Sequence, residues 1–206
     1  MRNTTMVDFT FHTVDSAPEK SKEALEGAAK KVGFVPNLYA AQAESPLALK
    51  AYLQLSQTIA ENSTLSATEQ QVVFFTGNTY HGCTFCVAAH TVISKGQKVP
   101  DDVIEALRNE QPLADEKLEA LRQFAYKVID QRGWVDDADT QAFLDAGYEK
   151  AHVFEVITLV GLKVLSNYTN HFAHTPLNDA FKPFEWHDSK KLRPNKTDAQ
   201  RRLIWY

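Results

Sequence analysis

Residues 65–90 read LSATEQQVVFFTGNTYHGCTFCVAAH, and this stretch decides how the chain folds. Ser66 followed by Glu69 is a capping box: each side chain satisfies a backbone N–H that the first helical turn leaves without a partner. A helix is therefore expected from residue 67. The β-branched pair Val72-Val73 sits inside helical periodicity and is read as helix, not strand. After Tyr80-His81 the chain enters a second helix at about Gly82, whose missing side chain permits a sharp entry. In that helix Cys83, Cys86 and His90 recur at i, i+3 and i+7, which places both sulfurs and the imidazole on one stripe. These two cysteines are the only ones in the chain. A pair at this spacing can close a disulfide with little backbone movement, and an adjacent imidazolium lowers a thiol's pKa.

Outward from this stretch the punctuation is helical throughout. Ser16 and Glu19 form a second capping-box pattern. Pro36, Pro46 and Pro100 stand where a first-turn proline would, and Ser45 suits an N-cap. Gly33, Gly96, Gly133 and Gly147 lie just past plausible helix ends. Helices are expected near 18–31, 36–43, 46–62, 67–80, 84–95, 101–109, 115–132, 138–146 and 149–173. Within 115–132, Leu118, Leu121, Phe124, Ala125 and Val128 mark one buried face. The helix 149–173 is apolar on nearly all sides, which predicts a place at the centre of the core or in a subunit interface. With no sheet, repeat or linker, the fold class is all-α: one domain over 1–206, its core about 30–175, with the CxxC at the start of a helix. The tail 176–206, carrying Trp186, Trp205 and Tyr206, is too aromatic to be solvated and is expected to pack on the core or a neighbouring subunit.

A thioredoxin-type CxxC lies in a βαβ setting, which this chain lacks. The formal charge of −4 gives no pull toward nucleic acid or anionic membranes, so neither is expected as a partner. The longest apolar stretch, 153–165, is too short to span a bilayer and is broken by Glu155, Thr158 and Lys163. The N-terminus lacks the apolar core of a secretory signal, and two cysteines do not make a secreted disulfide framework. A cytoplasmic location is expected, where such a pair is more often catalytic or metal-binding than structural.

Two chemistries follow from the residues. If Cys83 lies in the first helical turn, the unpaired N–H groups and helix dipole favour its thiolate. Cys86 stands one turn before His90, which can accept its proton or stabilise its thiolate. A thiolate can attack a hydroperoxide, become a sulfenic acid and be captured by the second cysteine. Alternatively, the pair exchanges electrons only with disulfides. Two rival readings are inert buried thiols and a zinc site built on Cys83, Cys86 and His90, with His81 near in sequence; no second motif completes the tetrahedral set.

The 65–90 run resembles the core motif of the AhpD-like (alkylhydroperoxidase D-like) proteins of the carboxymuconolactone decarboxylase superfamily: Glu, CxxC twelve residues later, His four beyond the second cysteine. Phe34-Val-Pro-Asn-Leu-Tyr39, Leu165-Ser-Asn-Tyr-Thr-Asn-His171 and Thr175-Pro-Leu177 resemble the branch called peroxidase-related, so the likeness spans roughly 30 to 187. The resemblance implies an all-α fold, homo-oligomers (dimer, trimer or hexamer), and a thiol peroxidase cycle without metal, haem, flavin or other cofactor. In that cycle Cys86 is peroxidatic, Cys83 resolves and His90 belongs to the proton relay. It also implies a hydroperoxide or disulfide substrate and a dithiol electron donor. Two positions depart from the motif. Gln71 stands where the relay Glu belongs, and glutamine orients a hydrogen bond but cannot shuttle a proton. Glu69, two residues away, is absorbed by its capping box. Thr84-Phe85 stands between the cysteines, where members of the family can carry a histidine. His81 is a candidate substitute relay, against the plainer reading of a surface histidine in a turn. Two further readings stay open: a decarboxylase- or lactone-type enzyme using histidine as acid–base, and a structural oligomer with vestigial cysteines.

Beyond the motif, His171 and His174 are expected at a helix C-terminus in dipole and cap roles. Asn167, Tyr168 and Asn170 are expected to be hydrogen-bonded in the core or against the cysteine helix. Lys163 is expected to snorkel or to pair with an acid such as Glu155. Asp136, Asp137 and Asp139 read as a helix N-cap.

Overall fold

The computed structural model describes residues 7–188. Nine α-helices and one 3-10 segment are present among them, with no strand. They are α1 (Glu19–Val32), α2 (Asn37–Gln42), α3 (Pro46–Asn62), α4 (Ala67–Tyr80), α5 (Thr84–Gly96), α6 (Asp101–Arg108), α7 (Glu116–Asp130), α8 (Asp137–Asp145), α9 (Lys150–Ala173) and the 3-10 segment Asp179–Phe184. The helices match the expected ones to within a few residues at their ends. No helix among the described residues is long and apolar enough to cross a membrane.

The central helix is α4, not α9. Residues 71–79 of α4 are buried without a break, and α5, α6, α7 and α9 all pack around it. A helix can be buried on every side only if neighbours surround it, and α4 is so surrounded although its sequence mixes Gln, Thr, Gly and Asn among the apolar residues. α9 instead lies at the surface with Phe154, Ile157, Leu165, Tyr168 and Phe172 facing outward. Tyr168 thus departs from its expected place in the core.

Local signals vary in how they resolve. The Ser66–Glu69 capping box forms reciprocally. The Ser16–Glu19 pattern does not: α1 begins after Pro18 with no side-chain cap, and the Ser16 hydroxyl accepts the Thr13 N–H instead. Pro46 occupies the first turn of α3 behind Ser45, whereas Pro36 and Pro100 are N-cap residues. Asp136 caps α8 by accepting the Asp139 N–H. Gly33 is the left-handed C-cap of α1, but Gly96 is still helical, the last residue of α5.

The segment after α9 folds back over α5. Phe181 meets Phe34 and Phe85 edge-on, with centroids 5.9 and 5.7 Å away. Arg108 donates to Thr91 Oγ1 and to the carbonyls of Phe184 and Glu185, while the Trp186 indole donates to the Arg108 carbonyl. This part of the expected tail packs on the core; Trp205 and Tyr206 lie outside the described residues.

Candidate active site

α4 ends at Tyr80, and the chain turns through Gly82 at φ +66°, a left-handed value that a glycine adopts without strain. The turn is locked by the Cys83 N–H donating to the Asn78 carbonyl. Cys83 is then the N-cap of α5, one residue outside the helix, and its sulfur accepts the Cys86 N–H at 3.4 Å. Both cysteines are buried and reduced. α9 crosses above them, and Asn170 donates from Nδ2 to the Cys86 sulfur at 3.1 Å and, more distantly, to Cys83 at 3.7 Å.

The helix start was expected to favour a Cys83 thiolate, yet the balance falls the other way. Burial pushes the Cys83 thiol far up, reinforced by its hydrogen bond to Cys86 and by the charge Cys86 carries; the Cys86 N–H and Asn170 do not offset this. Burial also acts to raise Cys86. The hydrogen bond from Cys83, the Lys163 charge, Asn170 and Ser166 together outweigh it and hold this thiol below its ordinary value. Cys86 is thus the sulfur on which negative charge is most stable.

Lys163 supplies the charge, and the sequence reading misplaced it. It neither snorkels nor meets Glu155: only 1% of the residue is exposed, and Nζ lies 2.6 Å from His90 Nε2. Glu155 instead accepts from the hydroxyls of Ser63 and Thr64 and the backbone after α3. Gly77 makes the burial of Lys163 feasible. A Cβ there would stand 3.3 Å from Lys163 Cβ, so the bare α4 backbone is what lets the lysine stem lie flat against it. A glycine inside a helix costs roughly 1 kcal/mol relative to alanine; this close approach accounts for it and was the one available signal in the sequence. Burial lowers the Lys163 pKa, while the sulfurs of Cys86 and Cys83 act to raise it, so ammonium and thiolate support each other.

His90 occupies the middle of a polar chain. Its Nδ1–H donates to Gln71 Oε1 at 2.8 Å, and Gln71 Nε2 donates to Gln97 Oε1 at 2.9 Å. With Nδ1 protonated, Nε2 is the acceptor for Lys163. Burial and the Lys163 charge hold the His90 pKa well below the usual imidazole value, so the ring is neutral. Both ring nitrogens are thus engaged with Gln71 and Lys163, and His90 reaches Cys86 through Lys163 rather than directly. Gln71 and His90 are brought together as the motif's spacing implied. His81 is not part of this chain: it caps the end of α4, and its Nδ1 lies 2.9 Å from Asn167 Nδ2, which also donates to the Gly77 carbonyl. His174 is the left-handed C-cap of α9. Among the described residues no group of three His, Cys, Asp or Glu is placed to hold a metal ion.

Cys86, His90, Lys163 and Ser166 lie on a cavity of about 390 Å³ whose remaining wall is almost wholly apolar, including Phe34, Tyr52, Phe85, Ile93 and Phe181. Cys83 does not line it. Cys83 lies on a separate groove of about 450 Å³ with His81, Thr84, Asn170, His171 and His174.

Comparison with known proteins agrees with the fold. Residues 46–127 match the model of the carboxymuconolactone decarboxylase family. A search of curated proteins finds no significant sequence match. Among solved structures, an uncharacterized peroxidase-related protein with an alkylhydroperoxidase AhpD core, from Ralstonia eutropha JMP134, is similar at 19% identity and a TM-score of 0.75, covering 86% of this chain and 95% of that one. An uncharacterized peroxidase-related protein from Silicibacter sp. TM1040 is similar at 19% identity and a TM-score of 0.72, over 87% and 97% of the two chains. The debrominase Bmp8 in its apo form is similar at 15% identity and a TM-score of 0.72, over 88% and 97%. The match over the segment carrying the cysteine pair, together with the shared all-α architecture, supports a place for this chain in the AhpD-like carboxymuconolactone decarboxylase superfamily.

Proposed function

We propose that the protein is a thiol-dependent oxidoreductase that reduces hydroperoxides through a Cys83/Cys86 dithiol–disulfide cycle. The observation that carries this reading is the environment of Cys86. A buried thiol held below its ordinary pKa, with an amide donor 3.1 Å from its sulfur and a second thiol bonded to it, is costly to build and has no structural use. Cys86 thiolate attacks the distal oxygen of the hydroperoxide, the O–O bond breaks, and the alkoxide leaves while the sulfur becomes a sulfenic acid. The alkoxide takes a proton from the Lys163–His90 pair; Gln71 orients His90 and carries no proton. Cys83 then attacks the sulfenic sulfur, releasing water and closing the disulfide. Lys163 here supplies what the relay glutamate supplies in the family motif. The exposed apolar stripe of α9, with Phe154 and Phe172 each more than two-thirds exposed, supports a homo-oligomer.

The test is intact-mass analysis after one equivalent of cumene hydroperoxide. Wild type is expected to lose two hydrogens and both titratable thiols. Cys83→Ser is expected to give a trappable sulfenic acid, and Cys86→Ser no reaction. An unchanged thiol count in folded wild type overturns the reading in favour of inert cysteines. Formation of the disulfide with oxidised dithiols but not with hydroperoxide overturns it in favour of a disulfide exchanger.

A further inference from the structure

The two cysteines open onto different spaces. Cys86 lines the apolar cavity and Cys83 the polar groove, neither sulfur-bearing residue belongs to the other's space, and Phe85 lines both. We propose that the enzyme has two entrances: the oxidising substrate reaches Cys86 through the apolar cavity, and a small dithiol reductant reaches Cys83 through the groove bounded by His81, Thr84, Asn170 and His174. The inference rests on the thiol-oxidoreductase reading above and adds where the electron donor binds.

The chemistry of the two linings sorts the two reactants. A thiolate entering the cavity would lose its hydration to a wall whose few polar groups, Lys163, His90 and Ser166, are already engaged with Cys86, with one another or with backbone. The groove offers imidazoles, hydroxyls, the Asn170 amide and the N-terminal end of α5, and no carboxylate lines it to repel an anion. An apolar hydroperoxide has the opposite preference, because taking its hydrocarbon surface out of water into the cavity is favourable.

The direction of exchange agrees. Thiol–disulfide exchange runs faster when the displaced sulfur is the better leaving group. Attack of a donor thiolate on the Cys83 sulfur breaks the Cys83–Cys86 bond and expels Cys86 as a thiolate, beside Lys163 and the Asn170 amide. Attack on Cys86 would expel Cys83, whose anion burial disfavours. The donor is then joined to Cys83 by a mixed disulfide. The donor's second thiol attacks its own bonded sulfur at high effective concentration, Cys83 leaves and takes the proton, and the donor departs as a cyclic disulfide. Two electrons pass from donor to enzyme and two thiols are restored. Separate entrances also mean that an apolar product left in the cavity does not exclude the donor.

The half-reactions are measured apart. The disulfide form is prepared with diamide, which requires no peroxidase step, and its reduction by dithiothreitol is timed; oxidation of the reduced form by cumene hydroperoxide is timed separately. Thr84→Trp places bulk at the groove rim on an exposed first-turn position, and Ile93→Trp places it at the partly exposed edge of the cavity. Restricted access at Cys83 is expected to slow reduction in Thr84→Trp by about tenfold or more, with hydroperoxide oxidation unchanged. Ile93→Trp is expected to reverse the pattern. In wild type, cumyl alcohol is expected to compete with hydroperoxide but not with dithiothreitol, a readout that needs no variant. Slowing of the same half-reaction by both variants, or competition between cumyl alcohol and dithiothreitol, overturns the two-entrance proposal. If hydroperoxide oxidises no thiol while Thr84→Trp still blocks reduction of the diamide-made disulfide, the peroxidase reading fails and the donor entrance stands.

Discussion

α7 and α9 both pack against α4, and they do so with opposite chemistry. α7 buries Leu121, Phe124, Ala125 and Val128 and turns Glu116 and Lys117 outward, while Arg122 and Glu119 pair at 2.6 Å in a half-buried position. α9 buries Lys163, Ser166, Asn167 and Asn170 in its second half and shows Leu165, Tyr168 and Phe172 to the outside. The usual amphipathic arrangement holds for a helix whose task is support. A helix that delivers reactive groups breaks that rule, and the cost is met by hydrogen bonds to sulfur, imidazole and backbone rather than by apolar burial. α4, between them, serves both: its Val72 and Phe75 join the common core, and Gln71 and Gly77 accept the polar side.

Damage to the two helices is expected to separate into stability and reactivity. Leu121→Ala removes a fully buried side chain of α7 and is expected to cost about 2–5 kcal/mol of unfolding free energy. Denaturant titration measures that loss, and the peroxide reactivity of the molecules that remain folded is expected to be unchanged. A large reactivity change would show that α7 is not mere support.

Lys163→Met tests the inner face of α9. Loss of the ammonium is expected to move the pH midpoint of Cys86 alkylation upward and to slow the peroxide reaction at neutral pH by about 10–100-fold, the span that one to two pKa units represents. Stability is expected to hold or rise, because a buried charge without a carboxylate is replaced by an apolar chain of similar length. A stability loss comparable to that of Leu121→Ala, with alkylation unmoved, would make Lys163 a packing residue.

Acid separates the helices as well. His90, beneath α9, has its folded pKa lowered, so the unfolded chain binds a proton that the folded one does not as pH falls below about 6.5. Stability is therefore expected to fall with decreasing pH in that window, by at most ~1.4 kcal/mol per pH unit for each proton. His81, lowered chiefly by burial and also by His171, acts in the same sense. Urea midpoints at pH 7 and pH 5.5 read the effect, and a flat profile would mean that the imidazole titrates alike in the folded and the unfolded chain.

The smallest effect is expected on the outer face of α9. Phe172→Glu changes a side chain that is mostly exposed in the monomer, so monomer stability is expected to move by less than about 0.5 kcal/mol. Sedimentation is expected to show a shift toward smaller species, in line with a stripe that is covered in an assembly.

The local part of this molecule was legible in its sequence, because caps, turns and the i, i+3, i+7 spacing act over a few residues. The Ser66–Glu69 box and the turn at Gly82 needed no distant partner, and Cys86 and His90 do share one side of α5, whereas Cys83, as the N-cap, opens onto a different space. The Ser16–Glu19 box failed because such signals compete, and Pro18 starts α1 in its place. Lys163 lies 73 residues from His90, and nothing near it announces that a lysine will be buried; only the crossing of α9 over α4, at a glycine, brings the two together. The same crossing decides which sulfur carries charge. Helix position alone favours Cys83, whereas the groups that stabilise an anion at Cys86 arrive from α9. Tertiary structure likewise divides the surroundings of the pair into an apolar cavity and a polar groove, since both are walled by helices far apart in the chain.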